Sequence, residues 1–139
     1  MIHFDPVPEP RDFDEKCRKR GRTWLEAHPD VSRPKDFWNP FRSQLADGFR
    51  NLCAYTAMYE PVGTVDHYLS YTNRPELTYE WSNYRFAASW VNCSKQNADD
   101  NILDPFKWGM IGLKSYSRHF NWLSQILSRR KTKKLLYIR

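Results

Sequence analysis

The chain has 139 residues with 22 Lys and Arg against 16 Asp and Glu, a net charge of +6, and an aromatic set of six Trp, eight Tyr and eight Phe. That length holds one domain around one core and excludes two ordinary domains side by side. With aliphatic residues sparse, aromatic rings must supply much of the buried area.

The first ten residues, "MIHFDPVPEP", are acidic and proline-bearing, where a secretory signal would be basic and then apolar. Phe4 to Phe13 reads as an extended lead-in, because each proline removes a donor and biases its predecessor away from helix. "DFDEKCRKRGRTWLEAHP" is expected to hold one short helix, acidic in its first turn and basic later, as the helix dipole prefers. Pro29 and Pro34 bracket a loop. From Asp36 to Leu52, Phe37, Phe41, Leu45, Phe49 and Leu52 recur at four and three residues with Trp38 beside them, which predicts one apolar helical face. Pro40 falls near its first turn, where proline is tolerated.

"GTVDHYL" follows as a glycine turn and a short strand alternating at Val65, His67 and Leu69. "RPELTYEWSN" suits a turn or two of helix, "NYRFAA" a second short strand, and Ala88 to Asn97 a short helix. The order is strand, long loop, strand, helix. Residues 1–106 carry 13 basic and 16 acidic side chains, whereas residues 107–139 carry nine basic and none acidic. The basic excess therefore belongs to the tail, and composition alone does not decide for nucleic acid. Within the tail, Trp122, Leu123, Ile126 and Leu127 follow helical spacing.

Cys17, Cys53 and Cys93 are odd in number and widely spaced, which argues against a disulfide framework and suits a reducing cytosol. No window approaches the roughly 18 apolar residues of a membrane span. A cytoplasmic chain without a membrane partner is the expectation.

Asp66 and His67 on the first strand and Asn92 on the following helix form a plausible metal and base site. A carboxylate and an amide oxygen suit a hard divalent cation such as Mg²⁺, and an imidazole near neutrality can take a proton from water. Taken alone, such a pair is more often structural than catalytic.

The spacing "TVDHYLS", "PELTYEWSNYR", "VNCSK" and "ILDPF" resembles the HNH endonuclease family, and within it a bacterial subgroup associated with phage-defence and retron loci. The likeness runs from about Leu52 to Phe106. It implies an α+β fold with a ββα-metal core, with residues 1–35 an extended segment and short helix, 36–106 the nuclease domain and 107–139 a basic tail. It further implies hydrolysis of DNA phosphodiester bonds, RNA being possible, with one Mg²⁺ or another divalent cation such as Mn²⁺. His67 would be the general base, Asp66 and Asn92 the metal ligands, and Asn83 the residue that orients the His67 ring. Lys95 and Arg85 are the candidates for phosphate contact. A partner ATPase or retron component is the further expectation.

Relatives often brace this unit with two Cys-x-x-Cys knuckles. The corresponding positions here read Cys53 and Thr56, then Ala88 and Val91, so one thiolate of four remains and no zinc is expected. Tyr55, Tyr79, Trp81, Tyr84 and Trp90 would brace the unit by packing instead. The likeness stops near Lys107. "GMIGLKSYSRHFNW", read from the third base of each codon with synonymous codons free, can encode the family's acidic-aromatic continuation, so a frameshift-derived tail is one expectation and a basic amphipathic helix the other. The rival readings of the whole chain are a binding module that does not cut and an inactive truncated relative.

Overall fold

In a computed structural model, residues 2–107 and 113–136 are described, with side chains in the C-terminal segment limited to 118–129. A π-helical stretch, Asp14–Lys19, runs into α1 (Arg20–Ala27), and a 3₁₀ turn, Asn39–Phe41, runs into α2 (Arg42–Gly48). The strands β1 (Thr64–His67) and β2 (Tyr84–Ala87) form an antiparallel pair, followed by α3 (Ser89–Lys95) and α4 (Leu113–Leu136). Mixed helix and strand in this proportion is an α+β architecture. No helix among the described residues is long and apolar enough to cross a membrane.

The helical stripe read from Asp36 to Leu52 is correct in what it buries and too long in what it winds. Phe41, Leu45 and Phe49 are buried, while Phe37 and Leu52 are half-buried at the ends. The helix stops at Gly48 because Arg50 and Asn51 take positive φ, 54° and 53°, a left-handed conformation that no helix continues through. Both expected strands are present within one or two residues of their expected limits. Alternation is lost on β1, where Val65, Asp66 and His67 are all buried, because both faces of the hairpin are covered. Gly63 precedes β1 under the Phe86 ring, where any Cβ would collide.

One cluster of buried residues joins segments far apart in the chain: Phe4, Phe13 and Cys17, then Phe41, Leu45, Phe49, Cys53, Ala54 and Tyr55, the hairpin, and Trp122 and Ile126 of α4. Phe13 sits edge-on to Phe41, Trp81 and Tyr84 at ring separations of 5.1 to 5.8 Å. Each such ring contributes roughly 1.5–3 kcal/mol by leaving water. Their polar tips stitch loops to the core: Trp81 Nε1 donates to the Val7 carbonyl at 2.7 Å, and Tyr79 Oη to that of Lys35 at 2.8 Å. Of the residues expected to brace the hairpin, Tyr55, Tyr79, Trp81 and Tyr84 are buried and Trp90 is half-buried.

The tail helix follows its spacing. Trp122 and Ile126 are buried and Leu123 is half-buried, whereas Leu127 is exposed. His119, one turn before Trp122, is buried as well and accepts the Leu103 N–H at 3.1 Å on Nδ1.

Candidate functional site

The hairpin register pairs Asp66 with Arg85 and His67 with Tyr84. Successive strand residues face opposite sides, so Val65 and His67 share one face with Phe86 and Tyr84, and Thr64 and Asp66 share the other. Asp66, at the penultimate position of β1, and His67, at its end, both line a cleft of about 720 Å³. Asn92 of α3 lines it too, so the three residues expected to form the metal and base site are brought to one cavity.

On the His67 face the environment is aromatic. The imidazole meets Trp38, Tyr84 and Tyr71 edge-on, with ring centroids 4.6, 5.1 and 5.4 Å away. Nε2 lies 2.8 Å from the Thr78 carbonyl, which also accepts the Tyr84 hydroxyl. A carbonyl can only accept, so Nε2 carries the proton and Nδ1 is left with a lone pair. No hydrogen bond to Nδ1 is made among the described residues. Burial holds the ring neutral, moving its pKa down to about 4 against the Thr78 hydrogen bond, with Lys95 adding to the decrease. An oriented neutral imidazole with one free nitrogen is the form a general base requires.

On the opposite face, α3 lies along β1. Asn92 and Lys95 are three residues apart and therefore on one side of their helix, and they meet Thr64 and Asp66, two apart on the strand. Asn92 Nδ2 donates to Thr64 Oγ1 at 3.1 Å and to the Val65 carbonyl at 3.3 Å. Its amide is thereby fixed, and its Oδ1 is the atom left for another partner. The Tyr55 hydroxyl donates to Asp66 Oδ2, and Lys95 Nζ sits 3.4 Å from the same oxygen. Asp66 Oδ1 takes no hydrogen bond among the described residues. Burial raises the Asp66 carboxyl to about 6, with Lys95 and then Tyr55 pulling it back.

Two hard oxygens, one anionic and one a neutral amide, fit a small divalent cation that keeps most of its waters. No group of three or more His, Cys, Asp and Glu is placed to hold a metal among the described residues. Cys53 is buried, and its Sγ accepts the Ala88 N–H at 3.5 Å. Cys93 is exposed and lines the cleft.

Three expected roles are corrected. Asn83 does not reach the His67 ring. It clasps the loop beyond β1, accepting the Leu69 N–H on Oδ1 and donating Nδ2 to the Leu69 carbonyl, both at 2.9 Å. The ring is oriented instead by the Thr78 carbonyl, a backbone group that no side-chain pattern announces.

Arg85 is 3% exposed and turned away from the cleft. Its Nε and Nη2 donate to Asp104 Oδ1 at 3.0 and 2.8 Å, its Nη1 donates to the Ser82 and Tyr84 carbonyls, and its guanidinium lies 3.8 Å from the centre of the Phe106 ring. Lys95 is 1% exposed, donates to the His67 carbonyl at 2.6 Å, and lies between Asp66 and Asp99. Both cations are consumed inside the fold, so neither is free to meet a phosphate. The cations that do line the cleft are Arg33 and Arg42, which sequence spacing did not single out.

No family model matches the chain, and neither a curated protein nor a solved structure matches it.

Proposed function

We propose that the chain is a metal-dependent endonuclease of the HNH type, cutting phosphodiester bonds at the Asp66, His67 and Asn92 cleft. The observation that carries this reading is the joint placement of three groups in one cavity: an imidazole whose free nitrogen is Nδ1, a carboxylate, and an amide whose nitrogen is already tied down. The strand, strand, helix order supports the ββα comparison, as does the contact between Cys53 and Ala88, two positions that carry zinc thiolates in relatives.

His67 takes the proton of the attacking water at Nδ1, while the Thr78 carbonyl keeps the ring in the tautomer that can receive it. Asp66 and Asn92 present the oxygens that would hold Mg²⁺ or Mn²⁺. A divalent cation bound there stabilises the charge that develops on the leaving 3′ oxygen. Trp38 and Tyr71 shield the imidazole, and Tyr55 fixes the carboxylate from behind. A role in phage defence beside a partner ATPase or retron component is carried by the sequence likeness.

One observation favours a second reading. Lys95 already compensates the Asp66 charge, so the carboxylate does not need a metal to be stable in the fold, and the cleft would then bind nucleic acid without cutting it. Cleavage of single-stranded DNA, single-stranded RNA and plasmid with Mg²⁺ or Mn²⁺ separates the two. The nuclease reading expects wild-type cleavage that His67→Ala lowers by about 10²- to 10⁴-fold and Asp66→Ala abolishes. Equal inertness of wild type and both variants across these metals and DNA and RNA substrates rejects it.

A further inference from the structure

We propose that the cleft takes a single-stranded polynucleotide, with Arg33 and Arg42 receiving its phosphates and the rings of Trp38 and Tyr71 its bases. This rests on the nuclease reading and adds the form of the substrate.

The charge inventory comes first. A polyanion entering the cleft needs cations that face it, and Lys95 and Arg85 are buried and turned to partners inside the fold. Arg33 stands on the loop between Pro29 and Pro34, is exposed, and makes no hydrogen bond or ion pair among the described residues. Arg42 opens α2, and its described bond is a single donation from Nη1 to the Gly63 carbonyl at 3.3 Å. A guanidinium has five donors, so most of Arg42 remains available. Asp36 lines the same cleft, yet no ion pair within 4.0 Å joins it to either arginine among the described residues. Asp66, the other carboxylate there, is already compensated by Lys95.

The aromatic inventory comes second. Trp38 and Tyr71 stand edge-on to the His67 ring at interplanar angles of 85° and 90°, and both are half-buried, so part of each ring is open to the cleft. Cations that track a backbone, beside rings on which bases stack, are the means by which proteins hold single strands without reading sequence.

Access comes third. Asp66 and His67 are 3% and 7% exposed, so the scissile phosphate must be brought down to the cleft floor. A single strand bends to do this. A duplex, stiff over about 150 base pairs, bends towards that floor less readily.

Fluorescence anisotropy of the full chain in EDTA tests this, using a labelled mixed-sequence DNA strand, the same strand annealed to its complement, and an RNA strand of that sequence. The single strands should bind at least about tenfold more tightly than the duplex, and Tyr71→Ala should lose about tenfold at every salt concentration. Arg33→Gln and Arg42→Gln should each flatten the slope of log K against log salt by about 0.7. Tighter binding of the RNA strand keeps the form and assigns the sugar.

Duplex binding as tight as single-strand binding overturns the proposal, and so do unchanged slopes in Arg33→Gln, an exposed substitution that leaves the core untouched. Cleavage separates this from the nuclease reading. A His67→Ala chain that binds the strand but still cuts sinks the nuclease reading alone, whereas unchanged arginine slopes with His67-dependent cutting sink this proposal alone.

Discussion

On one face of β1, Val65 and His67 lie against Phe86, Tyr84 and Trp38; on the other, Thr64 and Asp66 lie against Asn92 and Lys95 of α3, with Tyr55 behind the carboxylate. The first face is aromatic and presents a carbonyl to the imidazole. The second is polar and places an ammonium beside a carboxylate. Burial of two neighbouring residues thus has different consequences. Desolvation holds His67 neutral, with Lys95 adding to the effect, and Asp66, raised by the same desolvation, is pulled back towards its charged form by Lys95 at 3.4 Å. The proposed base and the proposed metal ligand need those different states, and adjacent positions on a strand supply them by facing opposite ways.

The comparison is broken most severely by removing the buried cation. Lys95→Ala leaves Asp66 and Asp99 without their ammonium, and a buried carboxylate stripped of its partner costs about 3–5 kcal/mol. Denaturant unfolding should show a fall of that size, whereas an equal-sized loss at exposed Arg33→Ala would contradict the picture of a buried polar face.

A second effect extends the comparison to α4. His119 is also a buried neutral histidine, moved down to about 4 chiefly by desolvation. Among the described residues its Nε2 meets no partner at hydrogen-bonding geometry, although the Tyr55 backbone is near enough to favour the protonated ring. The unfolded chain binds a proton near pH 6.5 and the folded chain only near 4. Stability from this group is therefore complete above pH 6.5 and lost as pH falls towards 4. Thermal unfolding across that window should show the loss in wild type, and His119→Gln should reduce it, leaving the share of His67, which is lowered to about 4 as well.

A third, smaller effect concerns the loop that follows His67. Asn83→Ala removes both bonds of the Leu69 clasp and should cost about 1–3 kcal/mol, read as a shift in the unfolding midpoint. If Asn83 instead held the imidazole, the substitution would change the His67 tautomer, and the Thr78 contact predicts that it does not. The smallest effect is Cys93→Ser, within about 0.5 kcal/mol of wild type as an exposed substitution. Modification of wild-type Cys93 with a bulky thiol reagent should nevertheless block the cleft that it lines.

The order strand, loop, strand, helix was legible because it rests on local signals: a glycine turn, short β-branched and aromatic runs, and a change to helical spacing at Ala88. The limits of α2 were only partly legible: Asn51 is a residue type that favours positive φ, whereas nothing in the residue type at Arg50 announces it. Placement of Asp66, His67 and Asn92 in one cavity follows from their positions at the end of β1 and on one side of α3.

The cations were misread for a simple reason. Sequence gives the charge of Arg85 and Lys95 and not the direction of their side chains. For Lys95 a signal was present, because a residue three after Asn92 shares its helical side and must turn towards β1. Asp104, which captures Arg85, lies nineteen residues on, and that pairing has no local signature. Arg33 and Arg42 meet Asp66 and His67 only through the folding of the chain around α2.

The fold presents a neutral His67 with Nε2 protonated and Nδ1 without a hydrogen bond among the described residues. Long-range nitrogen–proton NMR of the folded chain reports tautomer and charge of that ring directly. The expected result is an Nε2–H tautomer that persists on acidification until about pH 4. An Nδ1–H tautomer, or an imidazolium already formed near pH 6.5, would contradict it.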